Sequence, residues 1–337
     1  MHVVAGMSDR IPLSDVGHYA RRVESLGFDV LHVPETVHDS MAVALLALMS
    51  SMGLRVQTSL TLAFPRSPML LALQAWDLAS TSSGRFDLGL ASQIKPNITG
   101  RFGSPWSDPI DRMADYVLAV RSIWESFTDG RPLDVRTRNY TITRLQPFFN
   151  PGPLTCDAPR LLLGGVNERA LELAGHSADI YVTHPTNSHP RYLREVALPA
   201  IARGASAGRT PTIIATTPFA TGRTHNEVAV SRDNQRGVLG FLYSTPAYGR
   251  QLEVFERHDL GDRLRHMIRS GEWSRLGELM SDDFIDEILP HGTYDELPAV
   301  VESWFGGLVD GILLQPPADA ADDAVFADVV SAISSIR

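Results

Sequence analysis

The chain has 337 residues, of which 44% are hydrophobic and 20% are charged, and its net charge is −9. This composition is typical of a globular protein with a large core, and the acidic balance excludes a global basic surface for nucleic acid. Cys156 is the single cysteine, which excludes an internal disulfide and a thiolate metal cluster. The N-terminal residues lack a signal-peptide pattern, and no apolar run reaches the roughly 20 residues that span a bilayer. We therefore expect a cytoplasmic protein with neither a nucleic-acid nor a membrane partner.

The chain alternates short apolar runs with segments of helical periodicity. The first half predicts strands at residues 2–6, 30–33, 54–62 and 86–91, and helices at 13–26, 41–52 and 68–81. Gly27 directly follows the first helical segment, and Pro68 opens the third, as expected for helix boundaries. The alternation resumes with strands predicted at 160–163, 180–183, 212–219 and 309–315, and helices at 168–175, 191–207 and 323–336.

Eight predicted strands separated by helices indicate an α/β protein with parallel strands and right-handed crossovers. Eight is the strand count of a closed (β/α)8 TIM barrel, and an open doubly wound sheet is the competing architecture. Two stretches exceed a minimal barrel: a proline-rich excursion at 128–158 with a hairpin at 136–145, and a helical insertion at 224–292. Because the sequence shows no internal repeat and no low-complexity linker, we predict one domain over residues 1–337.

Polar or backbone-exposing residues follow five of the predicted strands. In a parallel barrel the carboxyl ends of the strands meet at one rim, where the active sites of such barrels lie. The sequence therefore predicts a site at this rim, lined from the second to the sixth strand by Glu35 and His38, Ser59 and Thr61, Ser92 and Gln93, Gly164, Gly165 and Val166, and His184.

Residue types alone leave two interpretations open at two of these positions. Glu35 and His38 have the chemistry of a general acid and base, or they are a capping carboxylate and a packed histidine. The Gly164–Gly165 pair before a helix suits an anion bound by backbone N–H groups, or it simply forms the turn. No histidine spacing indicates a metal site, and no nucleophile elbow is present, so a hydrolase or metalloenzyme is unsupported.

Several stretches together carry a resemblance to a known family. They extend over nearly the whole chain in order, and they include PETVHD (34–39), LAFPRSPM (62–69), AWDLASTSSGRFDLGLASQIKPNITGRF (75–102), PWSDPIDRMADYVLAVRSIW (105–124), PFFNPGP (147–153) and STPAY (244–248). The chain resembles the luciferase-like monooxygenase superfamily, and within it the subgroup that depends on the deazaflavin coenzyme F420.

The resemblance implies a bacterial-luciferase-like barrel, a homodimer, and a flavin or deazaflavin across the carboxyl-end mouth. It implies a non-proline cis peptide bond at Ser59–Leu60, which bulges against the cofactor ring. It further implies that Glu35 faces the ring and that the cofactor is contacted at Ser92 and Gln93 and at the phosphate-binding residues Gly164, Gly165 and Val166. A polyanionic deazaflavin tail also favours arginines at the rim, for which Arg66, Arg101 and Arg169 are candidates.

Three functions follow as alternatives from the resemblance. The first is an F420-dependent oxidoreductase that exchanges a hydride with a small organic substrate. The second is a two-component monooxygenase that uses reduced FMN and oxygen and is served by a separate cofactor reductase. The third is a family member that binds a flavin or metabolite without turnover, which is suggested by Ala91 where relatives commonly have glycine. The arginine-rich composition and the resemblance fit an actinobacterial source.

Overall fold

The computed structural model describes residues 1–205 and 209–336. The strands in these ranges are β1 (His2–Gly6), β2 (Val30–Val33), β3 (Arg55–Thr58), β4 (Thr61–Leu62), β5 (Phe86–Ala91), β6 (Val135–Arg136), β7 (Thr141–Ile142), β8 (Leu161–Gly164), β9 (Ile180–Val182), β10 (Thr212–Ala215), β11 (Ala220–Gly222), β12 (His291–Thr293) and β13 (Gly311–Leu314). No helix in the described ranges is both long enough and apolar enough to cross a membrane.

The helices surround the strands and also form most of the insertion. They are α1 (Val16–Ser25), α2 (Ser40–Ser50), α3 (Pro68–Thr81), α4 (Pro109–Asp129), α5 (Glu168–Ser177), α6 (Pro190–Tyr192), α7 (Leu198–Gly204), α8 (His225–Tyr243), α9 (Gly249–Val254), α10 (Leu260–Arg269), α11 (Asp282–Ile288), α12 (Leu297–Phe305) and α13 (Asp323–Ser334). The helix predicted over 191–207 is α6, a π-helical turn and α7 in succession, and the predicted positions 206 and 207 lie outside the described residues.

The main sheet is a closed parallel barrel. Its strands follow the order β3-β2-β1-β13-β10-β9-β8-β5-β4, and β3 also pairs with β5, which closes the ring. Since β3 and β4 are the two halves of the third barrel strand, the barrel has eight strands. The (β/α)8 barrel is therefore confirmed, and the open doubly wound sheet is wrong.

The apolar pattern explains why these segments fold onto the barrel. Parallel strands covered by helices are buried on both faces, and β2 is buried at all four of its positions. On α1, Val16, Ala20 and Val23 recur at helical spacing and are buried against the barrel, so the main core lies between the strands and the ring of helices. Gly27 then takes a φ of +84°, a conformation that glycine adopts without steric cost, and ends this segment.

Two predicted strands differ from the observed ones. The run at 54–62 is interrupted by a cis peptide bond between Ser59 and Leu60, as the resemblance implies. The run at 212–219 stops at Ala215, and Pro218, which has no N–H to donate to a ladder, lies beyond it. The chain then enters a separate two-stranded parallel sheet formed by β11 and β12, which no sequence pattern indicated.

The two additions to the barrel have the predicted character. The excursion contains the antiparallel hairpin of β6 and β7. The insertion is mainly helical and packs around its own apolar cluster, which includes Tyr243, Phe255 and Phe284. It begins at a capping box, in which the Thr224 side chain accepts a hydrogen bond from the Glu227 N–H and Glu227 accepts one in return.

An exposed apolar face on α2 bears on the expected homodimer, which remains a prediction. Leu45 and Met49 lie four residues apart on α2, Met52 follows two residues after its end, and Met49 and Met52 are 65% and 89% exposed. Leu70, on the neighbouring α3, is 61% exposed. Because exposed apolar clusters of this kind commonly mark protein–protein contacts, the dimer is expected to use this face.

Met49→Glu should shift the protein from dimer to monomer, since it would place an unpaired charge in the contact. We expect the dimer to dissociate at least about tenfold more readily, as measured by size-exclusion chromatography with light scattering over a concentration series. The control is Val230→Glu, at an exposed apolar position on α8. A mass that is the same for both variants and the wild type would contradict the use of this face.

Candidate active site

A cavity of about 880 Å³ opens at the carboxyl ends of the barrel strands. Its walls come from barrel strand ends and from the insertion, which contributes Gln235, Thr245 and Tyr248. This is the rim that the strand-end residues predicted. The volume falls within the range of about 300–1,000 Å³ that is usual for small-molecule and cofactor sites.

The structure brings most of the predicted site residues to this cavity. The lining includes Glu35, Ser59, Leu60, Ser92, Gln93, Gly164, Gly165, Val166 and His184. It does not include His38 or Thr61. Thr61 is fully buried behind the wall, where its hydroxyl lies 2.8 Å from that of Ser40. The roles predicted for the lining residues stay predictions, and the placement gives none to His38 and Thr61.

The glycine pair at the end of β8, Gly164 and Gly165, is required by close packing. A Cβ on Gly164 would lie 2.7 Å from the Leu60 Cδ1, so Gly164 makes room for the side chain that the β3–β4 bulge turns into the barrel. A Cβ on Gly165 would lie 2.5 Å from the Cβ of Ala170 in α5. The interpretation that these glycines shape the turn therefore has a physical basis, and it is compatible with an anion site.

The backbone around Gly165 is held in place and leaves one donor free. The Gly165 carbonyl accepts hydrogen bonds from Tyr181 Oη (2.9 Å) and Asn187 Nδ2 (3.0 Å), and the Val166 carbonyl accepts one from Tyr192 Oη (3.1 Å). Gly164 pairs with Val182 in the parallel ladder, which directs the Gly165 N–H towards the Val182 carbonyl, whereas within residues 1–205 and 209–336 no protein acceptor meets the N–H of Val166. The Val166 N–H precedes the ten-residue helix α5, whose N-terminus adds partial positive charge. The segment can therefore bind an anion.

Glu35 is engaged in contacts at the end of β2. Its Oε1 lies 2.7 Å from Arg66 Nη2, and its Oε2 accepts hydrogen bonds from Ser40 Oγ (2.9 Å) and the Leu62 N–H (3.0 Å). Arg66 also donates to Asp39, the N-cap of α2. The Glu35 carboxylate thus joins β2, β4 and α2, while the residue that caps α2 is Asp39.

The acid–base pair predicted from residue types is not assembled. Among the described residues, Glu35 and His38 form no hydrogen bond or ion pair with each other, and only Glu35 lines the cavity. The predicted proton-carrier role therefore stays a prediction for Glu35, which lines the cavity, without support from a contact to His38.

The rim arginines predicted for a polyanionic tail are engaged elsewhere. Arg66 is paired with Glu35 and Asp39, Arg101 donates to the Thr36 carbonyl, and Arg169 is paired with Asp108 and Asp111. No Arg or Lys occurs among the described residues that line the cavity, and Glu35 is the carboxylate there. An anionic group in this cavity would therefore depend on backbone N–H groups.

The polar tip after β5 is a tight turn. Gln93 has a φ of +58°, in the left-handed region that a residue with a side chain rarely adopts. Its side-chain oxygen accepts a hydrogen bond from the next N–H, that of Ile94 (2.9 Å). The turn directs the chain away from the barrel and leaves Ser92 and Gln93 on the cavity wall.

His184 and Tyr248 form a stacked pair at the mouth. Their ring centroids are 4.5 Å apart, and His184 Nε2 lies 3.2 Å from Tyr248 Oη. The Thr186 N–H donates to His184 Nδ1, and burial lowers the pKa of His184 to about 4, so the neutral ring carries its proton on Nε2. Burial also raises the pKa of Tyr248. The Tyr248 hydroxyl accepts from His184 and keeps its own proton to donate to a ligand.

Sequence reasoning missed nine further polar or flexible lining residues. Thr216 and Thr217 were hidden because the predicted strand ran past Ala215, where the same strand-end rule would have found them. Those contributed by the insertion could not be placed, since no spacing shows that it folds over the mouth. The nine residues are Met7, His32, Thr216, Thr217, Thr221, Gln235, Thr245, Tyr248 and Gln315.

A closed parallel barrel with a large cavity at the carboxyl ends of its strands defines the TIM-barrel class and places the cavity where the active sites of that class lie. The chain belongs to the luciferase-like monooxygenase family, whose model matches residues 1–310.

Two curated relatives extend over most of the chain. An uncharacterized protein of Mycobacterium tuberculosis is 35% identical over 295 residues, which cover 86% of each chain. A 5,10-methylenetetrahydromethanopterin reductase of Archaeoglobus fulgidus is 23% identical over 294 residues, which cover 84% of this chain and 83% of the relative. The family thus contains reductases as well as monooxygenases.

Solved structures share the fold at lower identity. A coenzyme F420 dependent tetrahydromethanopterin reductase from Methanopyrus kandleri superimposes with a TM-score of 0.77 at 18% identity, covering 99% of this chain and 98% of its own. The oxygenating constituent of 3,6-diketocamphane monooxygenase from Pseudomonas putida, in complex with FMN, has a TM-score of 0.65 at 16% identity and covers 100% and 97%. F420 and FMN are therefore each used by a protein that shares this fold.

Gly164→Ala should destabilise the protein by about 1–3 kcal/mol, because the new methyl group overlaps Leu60. We expect the loss to shrink when Leu60→Ala is present as well, since the overlapping atoms are then gone. Gly165→Ala is the matched comparison, because its methyl group meets Ala170 and Leu60→Ala should not rescue it. Urea unfolding gives the free energies of the wild type and of the two glycine variants, each with and without Leu60→Ala, and equal losses of Gly164→Ala in both backgrounds would contradict the contact.

Three buried histidines should make the fold sensitive to mild acid. Burial lowers the pKa of His32, His184 and His189 from 6.5 to about 4. Each takes up a proton on unfolding, so the free energy of unfolding falls as the pH drops from about 6.5 towards 4, by up to about 1.4 kcal/mol per pH unit for each. Urea unfolding across this range measures the slope.

The matched variants for this measurement are His189→Phe and His225→Phe. His225 has 81% of its side chain exposed. His189→Phe should reduce the slope by one histidine's share, and His225→Phe should leave it unchanged. A slope that is the same for His189→Phe and the wild type would show that His189 is not held neutral.

Proposed function

We propose that this protein is an oxidoreductase that transfers a hydride between coenzyme F420 and a small organic substrate. The observation that carries the proposal is the relationship to a 5,10-methylenetetrahydromethanopterin reductase over 84% of the chain. The cavity at the carboxyl-end mouth supplies the place for this chemistry. The substrates that suit a hydride are an imine, an enone or a ketone.

The residues present fit a flat ring with an anionic tail. Leu60, Val182 and Leu313 provide apolar surface inside the cavity. The unpartnered N–H of Val166, just before α5, suits a phosphate. These two features lie on the wall of the same cavity, so one elongated ligand can use both.

Reduced F420, when bound, supplies a hydride donor, and its oxidised form supplies a hydride acceptor. The chain itself would bind the anionic tail at the Val166 N–H, orient the ring against Leu60, and line a cavity in which polar contacts are strengthened by the exclusion of water. Tyr248 holds a proton on Oη and is supported by His184, so it can donate to an oxygen or nitrogen of the substrate. In this proposal Tyr248 is the proton carrier, a role that the sequence predicted for Glu35 or His38.

One observation favours the second candidate, a monooxygenase that uses reduced FMN. The described cavity lining has no Arg or Lys, and FMN has a single phosphate where F420 has a polyanionic tail. One backbone anion site is sufficient for FMN. The two cofactors therefore need to be compared directly.

The first test is to titrate the purified protein with F420 and with FMN separately and to follow fluorescence quenching. We expect F420 to bind at least about tenfold more tightly than FMN. Preference for FMN would move the protein to the monooxygenases, and binding of neither would favour a family member that has lost turnover.

Val166→Pro should weaken cofactor binding, because proline has no N–H to donate to the anionic tail. Val166→Ala keeps that N–H and is the matched control. The unfolding temperature of both variants checks that the fold is retained. Equal affinities of the two variants would contradict the backbone anion site without affecting the choice between F420 and FMN.

A further inference from the structure

Three polar side chains lie side by side inside the barrel, on three neighbouring strands. The strand register pairs His32 of β2 with Gln57 of β3, and Gln57 with Asp87 of β5. Their exposed fractions are 2%, 1% and 0%. Barrel interiors are usually filled by branched apolar side chains, so a polar row at this position calls for a specific reason.

Asp87 fixes the direction of the hydrogen bonds in this row. Its carboxylate is paired with Arg55 (2.9 Å) and Arg160 (2.8 Å), and Gln57 Nε2 donates to it at 2.9 Å. An ionised carboxylate only accepts hydrogen bonds. The Gln57 amide must therefore present its NH₂ group to Asp87 and its oxygen to His32.

The orientation of Gln57 in turn fixes the tautomer of His32. Gln57 Oε1 lies 2.9 Å from His32 Nε2, and since an amide oxygen only accepts, the ring proton resides on Nε2. Burial lowers the pKa of His32 to about 4, so the ring is neutral near pH 7. Nδ1 is then a hydrogen-bond acceptor.

This acceptor has no partner in the protein. Among the described residues, His32 Nδ1 is buried and makes no hydrogen bond, although the other nitrogen of the same ring is satisfied. His32 also lines the cavity, together with Leu60 and Leu313 of the barrel wall. A buried acceptor without a partner carries a desolvation cost that a ligand donor would remove.

We propose that His32 is a cofactor-binding residue whose Nδ1 accepts a hydrogen bond from the ring N–H of the flavin or deazaflavin. The inference rests on the proposed binding of such a ring, and it adds a residue that the strand-end pattern did not contain. Both ring systems carry an N–H between two carbonyl groups at one edge, which is a donor that Leu60 and Leu313 cannot satisfy. His32 lies within β2, below the rim loops, and so meets a group that reaches deep into the cavity.

The test compares three ligands, F420, FMN and FMN methylated at that ring nitrogen, on the wild type and on His32→Phe. We expect His32→Phe to bind F420 and FMN about tenfold more weakly, the effect of one lost hydrogen bond. The methylated FMN has no donor, so the two proteins should bind it equally. His189→Phe removes another buried histidine that does not line the cavity, and its affinities should equal those of the wild type.

Nitrogen-15 NMR of the histidine-labelled protein gives a readout that needs no turnover. The His32 signals, identified by their loss in His32→Phe, should show the proton on Nε2, and addition of FMN or F420 should shift Nδ1. Gln57→Leu removes the group that fixes the tautomer, so it should allow the proton onto Nδ1 and weaken binding as His32→Phe does.

The outcomes separate this inference from the proposed function. If the wild type prefers F420 and His32→Phe binds F420 equally well, or if F420 is preferred and the proton resides on Nδ1, the role of His32 is overturned and the proposed function stands. If the wild type binds neither F420 nor FMN, both are overturned.

Discussion

The parallel hydrogen bonds between β3 and β5 close the sheet on itself, and the arrangement of the cavity depends on this closure. Closure brings the carboxyl ends of eight strands to one rim. It also sets the register that places His32, Gln57 and Asp87 in one row. An open sheet would separate residues that here share one wall.

The buried carboxylate of Asp87 depends on the same closed arrangement of the strands. A buried charge is costly unless it is paired and hydrogen-bonded, and Asp87 meets Arg55, Arg160 and Gln57. Because those partners come from β3 and from the start of β8, the charge can be satisfied only when the strands are in register. The same contacts fix the direction of the hydrogen bonds from Asp87 through Gln57 to His32. The Asp87 carboxylate therefore contributes to the fold and also sets the hydrogen bonding of a residue that lines the cavity.

The cavity has few formal charges, although its rim is polar. Arg66 follows the end of the third barrel strand in the sequence. Its guanidinium forms ion pairs with Glu35 and Asp39, which hold the loops around the mouth. What remains for a ligand is the backbone N–H of Val166, hydroxyl groups such as that of Tyr248, and apolar surface. Such a lining suits a planar cofactor that supplies the reactive chemistry itself, with the protein providing position and hydrogen bonds.

The sequence by itself determined the barrel, its strand order along the chain and most of the rim. Apolar periodicity marks strands and helices locally, and the rule that parallel strands end at one rim then collects Ser92, Gly164 and His184 without further information. The resemblance added the position of the cis peptide bond at Ser59–Leu60.

Only the tertiary structure decided which polar groups are free. Glu35 and Arg66 are separated by thirty-one positions in the sequence and neutralise each other in the fold, and no local pattern shows that pairing. The same holds for His32, whose free nitrogen depends on contacts across three strands, and for Tyr248, which the insertion carries to the mouth. Local periodicity reports burial, whereas the availability of a charge or a lone pair depends on partners that only long-range packing brings together.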